Sequence, residues 1–588
     1  MISPTPATTN DHTGPPRPPS IALIGCGPAG MFFLHALSTR RRQLLQRHQH
    51  DNDSLQRALA GLPVVTCFES STSPGGVWKS DRSGGVNMYE ALWTNGSHCV
   101  MEFFDHTYEE HFRQALPVYL PRRMVLQYLL KRVTKADPGL FDCVEFGTTV
   151  VSVKYHGDEC HFLVRTQRGG DANVIERRFD KCIWAAGENG RPYVPQSLSD
   201  HLASFKGKTM HSSQTDDEFD RDVRDKSVLV VGDNYSAEDL TLQAIRLGAE
   251  RVTILSRSGM GMAYETAAWP GDKVDVEEGY TPTGVTEDGR GIILTQSEYD
   301  FDREDFVLQG ETKVLQEVDT IIYCTGYNRN YVMLDEPLRP DGKGVSFLID
   351  DLPADWTMPE NALSNEFGPV PVGAIKEYKL SNKKLYRGLL ISNPNMMFLQ
   401  ERTDVPLLDL DVQTWLLLAH ITGDLALPSV EQMQKFNREQ FSQQMNDVLT
   451  RSLLDMNYKR RLWSVDEEEH WISDMSDERN TVLHKHYCEL QYRILARDMM
   501  DSRYPVNIGT YDALNEKGHA LVQFDVACSY NRYNLGKESA DGKWKTFRDC
   551  DPSCFYSIFT GMKAVSLKAP WLELSEDEYE EKKVEDDV

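Results

Sequence analysis

Six short apolar runs punctuate the chain: Ile21–Ile24, Val64–Glu69, Cys182–Ala186, Val228–Val231, Val252–Leu255 and Thr320–Cys324. They show little polar alternation and are closed by glycine or polar residues, which is the pattern of strands buried on both faces. Helical periodicity fills the segments between them, so the expected fold class is α/β with parallel sheets. From about Leu407 the pattern turns mainly helical ("VQTWLLLAHITGDLALPSVEQMQKFNREQF"), with a stop at Gly423 and Pro428. Residues 1–19 carry too little apolar surface to fold, and the closing charge run "LSEDEYEEKKVEDDV" is expected to fray.

Two of the runs end in a turn that opens a helix. The first turn reads Gly25-Cys26-Gly27-Pro28-Ala29-Gly30. Its glycines permit a tight bend, a close backbone approach to a pyrophosphate, and packing of the helix on the strand. The helix N-terminus then offers free N–H groups to the phosphates. Glu69, ending the second strand, is the expected acceptor for a ribose 2′-hydroxyl, although it lies well beyond the usual ~20 residues after the last glycine. The surplus, "STRRRQLLQRHQHDNDSLQRALAG", reads as a helix extension or surface insert.

The second turn, Gly232-Asp233-Asn234-Tyr235-Ser236-Ala237, is a degenerate version of the first. The strand after it ends in Ser256-Arg257-Ser258, where a guanidinium flanked by hydroxyls suits a 2′-phosphate. Two such turns point to two nucleotides held against each other. The expectation is FAD on the first and NADPH, which reduces it, on the second. The fold expected is two Rossmann-like domains, the second inserted in the first: an FAD-binding domain at 20–192 and 326–470 and an NADPH-binding domain at 193–325. A C-terminal extension at 471–573 and an acidic tail at 574–588 follow.

Composition narrows the partners. The 588 residues hold 63 basic and 89 acidic side chains, a formal charge of −26, which opposes broad contact with nucleic acid or anionic membranes. No apolar run reaches the ~18 residues of a membrane span. The Pro- and Thr-rich opening lacks a basic n-region, so no signal peptide is expected, and a cytoplasmic protein is the reading. The 11 cysteines include no CxxC pair, which argues against a dithiol redox centre and leaves no metal site expected.

The run "SPGGVW" after Glu69, "FKGKTMHSS" (205–213) and "IIYCTGYN" (321–328) resemble the flavin-containing monooxygenase family. The family's FxGxxxH pattern is met by Phe205, Gly207 and His211. Thr215 stands at its aromatic end, and the next aromatic is Phe219. The earlier ATG turn appears as Ala185-Ala186-Gly187, while Thr325 and Gly326 keep the later one. "MYEALWTNGSHCVMEFFDHTYEEHF" (88–112), "GDLALPSVEQM" (423–433) and "FRDCDPSCFYSIFTG" (547–561) are similar to the bacterial trimethylamine-oxidising type within that family.

The resemblance implies a cycle in which NADPH reduces FAD and the reduced flavin takes up O2 as a C4a-hydroperoxide. NADP⁺ shields that species until a soft nucleophile, a tertiary amine or thioether, attacks its distal oxygen. It also implies that Asn95 supports the oxygenated flavin, that Gly76, Val77, Trp78, Trp93, Thr94 and Tyr193 line the cofactors, and that His211 links the domains. Trp78 and Tyr193 could equally be core aromatics. Asp404 and Val405 stand where the trimethylamine type has a Trp-Tyr pair, so the expected substrates are bulkier than trimethylamine. A Baeyer–Villiger or N-hydroxylating monooxygenase, or a flavoprotein that mainly releases peroxide, shares both turns. A homodimer is left open.

Overall fold

The computed structural model describes residues 17–79, 120–169, 173–187, 191–215, 218–257, 269, 271–300, 305–328, 331–340, 384–399 and 406–436, with scattered positions between 88 and 112. Trp93, Asn95, Ser258, Asp404, Val405 and all residues past 436 lie outside the described residues.

All six apolar runs form strands, and they sort into two parallel sheets. The larger sheet has seven strands, with Lys181–Trp184, Ser20–Ile24, Val64–Phe68 and Val144–Glu145 adjacent in that order. The antiparallel pieces Leu385–Tyr386 and Leu389–Leu390 complete it, joined through Asn393–Phe398, which pairs parallel with Lys181–Trp184. The smaller sheet has five strands in the order Val274–Glu278, Arg251–Ser256, Ser227–Val231, Thr320–Tyr323, Lys208–His211. Its strands fall between the two halves of the larger sheet in sequence. Ile21, Ala22, Leu23, Leu229, Val230, Ile321 and Ile322 are fully buried, as expected for strands covered on both faces.

Two three-stranded antiparallel sheets accompany these. One (Thr148–His156, His161–Arg168, Val174–Phe179) packs its apolar face on the larger sheet through Val153, Phe162 and Val164. The other (Tyr280–Val285, Ile292–Asp300, Asp305–Leu315) lies between two strands of the smaller sheet in sequence. The two connections between the parallel sheets pair with each other as a short ribbon, Arg191–Pro192 against Tyr327–Asn328.

The surplus after Gly30 resolves into helix. The first-turn helix runs Pro28–Arg47, and a second, Asn52–Ala60, is capped by the Asp51 carboxylate, which accepts from the Ser54 N–H. No residue of that second helix is buried, so this part of the insert lies on the surface and leaves the strand after it in register with the first. The later helix, Pro406–Thr422, stops where Gly423 turns the backbone to φ +74°. Among the described residues, no helix is long and apolar enough to cross a membrane.

Candidate dinucleotide sites

The first turn is built by backbone geometry. Gly25 donates its N–H to Phe68 O and adopts φ +100°, open to few side-chain-bearing residues. Gly27 precedes the helix with no side chain capping it, Pro28 and Ala29 open its first turn, and no acidic residue sits there. The helix N–H groups therefore remain available to an anion, and the end dipole favours one. A Cβ on Gly76 would come within 3.0 Å of Gly27 Cα, so the loop carrying Gly76, Val77 and Trp78 approaches the turn backbone to backbone. Gly75 N–H donates to Cys26 O and fixes that approach.

Glu69 follows directly on the strand Val64–Phe68 and reaches across to the turn. One carboxylate oxygen accepts from Cys26 N–H at 2.7 Å, and the other accepts from Ser71 N–H at 2.9 Å and from the Ser71 hydroxyl. The Ser70 hydroxyl also lies 3.5 Å from the oxygen that Ser71 bonds, which leaves the Cys26-bonded oxygen, with one donor, the less occupied acceptor. Glu69 thus stiffens the turn. The slot without Cβ atoms, the uncapped helix N-terminus and this carboxylate together fit FAD.

The second turn solves the same problem with side chains. Gly232 donates to Leu255 O with φ +115°, and a Cβ there would lie 2.5 Å from Cys324 O. Asn234 caps the helix Tyr235–Arg246, its carbonyl oxygen accepting from Tyr235 N–H at 2.9 Å. Ser236 is half-buried and Ala237 fully buried. The acid has moved into the loop, where Asp233 accepts from the Ser256 hydroxyl. That leaves the strand end to Arg257, whose guanidinium carbon lies 4.1 Å from the centroid of the Phe306 ring. An exposed cation braced on an aromatic face at the ribose end fits the 2′-phosphate of NADPH.

The later glycine turn joins the two sites. Gly326 O accepts from Tyr193 N–H at 3.0 Å, and Thr325 donates its hydroxyl to Tyr193 O. His211 lies 3.0 Å from the same Gly326 O through Nε2, while its Nδ1 accepts from Ser213 N–H. Burial lowers its pKa, outweighing the bond to Gly326, so the ring is neutral and donates from Nε2. Tyr193 is exposed and Trp78 packs at the core margin. Thr94 is buried and exchanges bonds with Leu120, its N–H to Leu120 O and its hydroxyl from Leu120 N–H. Thr215 is buried and bonds Ser212 O, and Phe219 belongs to the smaller sheet's core.

Three residues not singled out in the sequence emerge here: Tyr89, Arg122 and Asp239. A cation in the first turn of a helix, as in "PRRMVLQYLL", runs against the helix dipole and was the available signal for Arg122.

Two parallel sheets, each with a glycine turn opening a helix, define a protein built to hold two dinucleotides. Residues 54–271 match the model of the flavin-binding monooxygenase-like family. The trimethylamine monooxygenase of Pelagibacter sp. (strain HTCC7211) is 28% identical over 328 residues, which is 54% of this chain and 63% of that relative. Flavin-containing monooxygenase 3 of Homo sapiens is 32% identical over 33% of this chain and 36% of its own length. The chain therefore matches less than two thirds of the length of these relatives. In fold, the crystal structure of Tmm from the same Pelagibacter strain superposes with a TM-score of 0.62 at 21% identity, covering 96% of this chain and 99% of that one. The S-allyl-L-cysteine S-oxygenase of Allium sativum gives 0.53 at 20% identity, covering 90% and 95%.

Proposed function

We propose that the protein is an NADPH- and O2-dependent flavin monooxygenase that oxygenates the nitrogen or sulfur of a small soft nucleophile. The observation that carries the reading is the pairing of two dinucleotide turns with opposite strand-end charges, Glu69 on one and Arg257 on the other. Bound FAD would supply the redox and oxygen chemistry. The chain would hold the FAD pyrophosphate at Gly25–Gly30, its ribose at Glu69 and the 2′-phosphate of NADPH at Arg257. Similarity to a trimethylamine monooxygenase supports an amine substrate, and Asp404 and Val405 support one bulkier than trimethylamine.

The test is stoichiometric: NADPH consumed, hydrogen peroxide released and oxygenated product formed, across tertiary amines and thioethers. Product close to one per NADPH on some member of the panel is expected. NADPH consumption converted wholly to peroxide on every member would overturn the reading. Asn95→Ala should keep FAD and its reduction but lower product per NADPH, with peroxide rising to match. Unchanged coupling in that variant removes Asn95 from the site.

Arg257→Ala should raise the KM for NADPH roughly tenfold or more, since a charge-assisted hydrogen bond contributes ~1.5–3 kcal/mol. The KM for NADH should stay within a factor of about two, because a free 2′-hydroxyl has no charge to lose. Parallel changes for both nucleotides would take Arg257 out of the phosphate site.

A further inference from the structure

Tyr89 precedes the helix Arg122–Thr134 in sequence but packs in the core of the smaller sheet, among Met210, Phe219, Val228 and Ala237. It is 1% exposed, and its hydroxyl donates to Asp239 Oδ2 at 3.0 Å. Asp239 is itself buried, on the helix Tyr235–Arg246 that opens from the second nucleotide turn. Burial first, then the Asp239 charge, raises the Tyr89 pKa, so the hydroxyl stays a donor.

The other end of Tyr89 is held as firmly. Its carbonyl accepts from Arg122 Nη1 at 2.7 Å, and the same guanidinium donates through Nη2 to Val77 O at 2.9 Å and to Lys79 O. Arg122 is buried in the first turn of the helix Arg122–Thr134, where the dipole disfavours a cation. That placement weakens the helix, so its return lies in the carbonyls it gathers. Val77 belongs to the loop that meets Gly27 backbone to backbone. A continuous chain of bonds thus runs from the first nucleotide turn, through Arg122 and Tyr89, to the helix of the second.

We propose that Tyr89 is a positioning residue: it locks the NADPH helix, at Asp239, to the flavin-side loop gathered by Arg122, and so sets the approach of nicotinamide to flavin. The proposal rests on the function proposed above. The step it governs is hydride transfer from NADPH to FAD, which with a solvent proton leaves NADP⁺ and two-electron-reduced flavin.

Tyr89→Phe removes only the hydroxyl. Anaerobic reduction of bound FAD at saturating NADPH should slow about tenfold, against the hundredfold that a ~1 Å misplacement can cost. The KM for NADPH and the FAD content should hold within a factor of about two. In the nucleotide-free protein, amide exchange across residues 235–246 should accelerate about tenfold while residues 228–231 stay protected, a local loosening that general destabilisation would not give. Asp239→Leu, which leaves the hydroxyl no acceptor at this position, should reproduce both effects, and the double variant should exceed neither single by more than about twofold. It also carries the test should Tyr89→Phe not accumulate. Reduction and exchange both unchanged in a folded variant would overturn the latch while leaving the proposed function standing. A wild-type protein that NADPH does not reduce overturns both.

Discussion

Gly30→Ala should leave the chain unable to retain FAD. A Cβ at residue 30 would lie 2.1 Å from Gly25 O and 3.1 Å from Gly25 C, both backbone atoms, so no rotamer relieves the clash. The turn cannot back away. Gly25 is tied by its N–H to Phe68 O at 2.8 Å, and on its other side its own Cβ direction is closed by Ala185 O at 2.7 Å. The helix Pro28–Arg47 must therefore lift off the strand, carrying its N-terminal N–H groups away from the pyrophosphate. The same sequence position in the second turn already holds Ala237, fully buried, so that turn accommodates a Cβ. Ala237→Gly should accordingly cost only about 1 kcal/mol, the helix-propensity difference. Flavin absorbance per mole of purified protein, before and after adding FAD, reads the outcome. A wild-type flavin content in Gly30→Ala would show that the first turn is not the FAD seat.

This contrast explains what was legible in the sequence. The strands were legible because parallel strands must be apolar on both faces, and short unbroken runs such as Ile21–Ile24 and Val228–Val231 have few other homes in a globular fold. The first turn was legible because only glycine satisfies its approaches. Asn234 was readable only as a lost glycine, whereas it serves as a helix cap, a role that depends on side-chain rotation rather than spacing. Glu69 was found, but not its bonds to Cys26 and Ser71, which become visible once register places Phe68 beside Ile24. The antiparallel sheet Tyr280–Val285, Ile292–Asp300 and Asp305–Leu315 escaped because its strands are largely polar. Its Phe306 under Arg257 escaped with it. Tyr89 and Asp239, 150 residues apart, are joined only by tertiary packing. No local pattern encodes such a pair.

The same limit applies to the largest stability effect expected, at Arg132. Its guanidinium is 2% exposed and bridges Asp105 at 2.8 Å and Asp411 at 2.9 Å, the latter 1% exposed on the helix Pro406–Thr422. It also lies 3.8 Å from the centroid of the Phe103 ring, and His35 of the helix Pro28–Arg47 bonds the same Asp105 at 3.3 Å. Three helices distant in sequence thus share one buried charge cluster. Arg132→Met keeps most of the volume but leaves the Asp411 carboxylate buried beside an apolar chain, which should destabilise the protein by about 3–5 kcal/mol. Adding Asp411→Leu should recover much of that loss, because an apolar replacement of the whole pair avoids the stranded charge. Denaturant unfolding of the two variants measures the difference. An Arg132→Met loss below about 1 kcal/mol would show that the cluster contributes packing alone. Acid supplies the second arm. Burial alone would raise the Asp105 pKa, but the Arg132 charge and the bonds from His35 and Arg132 outweigh it and hold that carboxyl well below the usual range. A depressed pKa contributes stability that is complete above the unfolded value of ~3.9 and is lost as pH falls through the folded one. The deficit of Asp105→Asn should therefore be constant from neutrality to about pH 4 and shrink only in stronger acid. A deficit already lost by about pH 6 would show that the Asp105 carboxylate is not held low by the cluster.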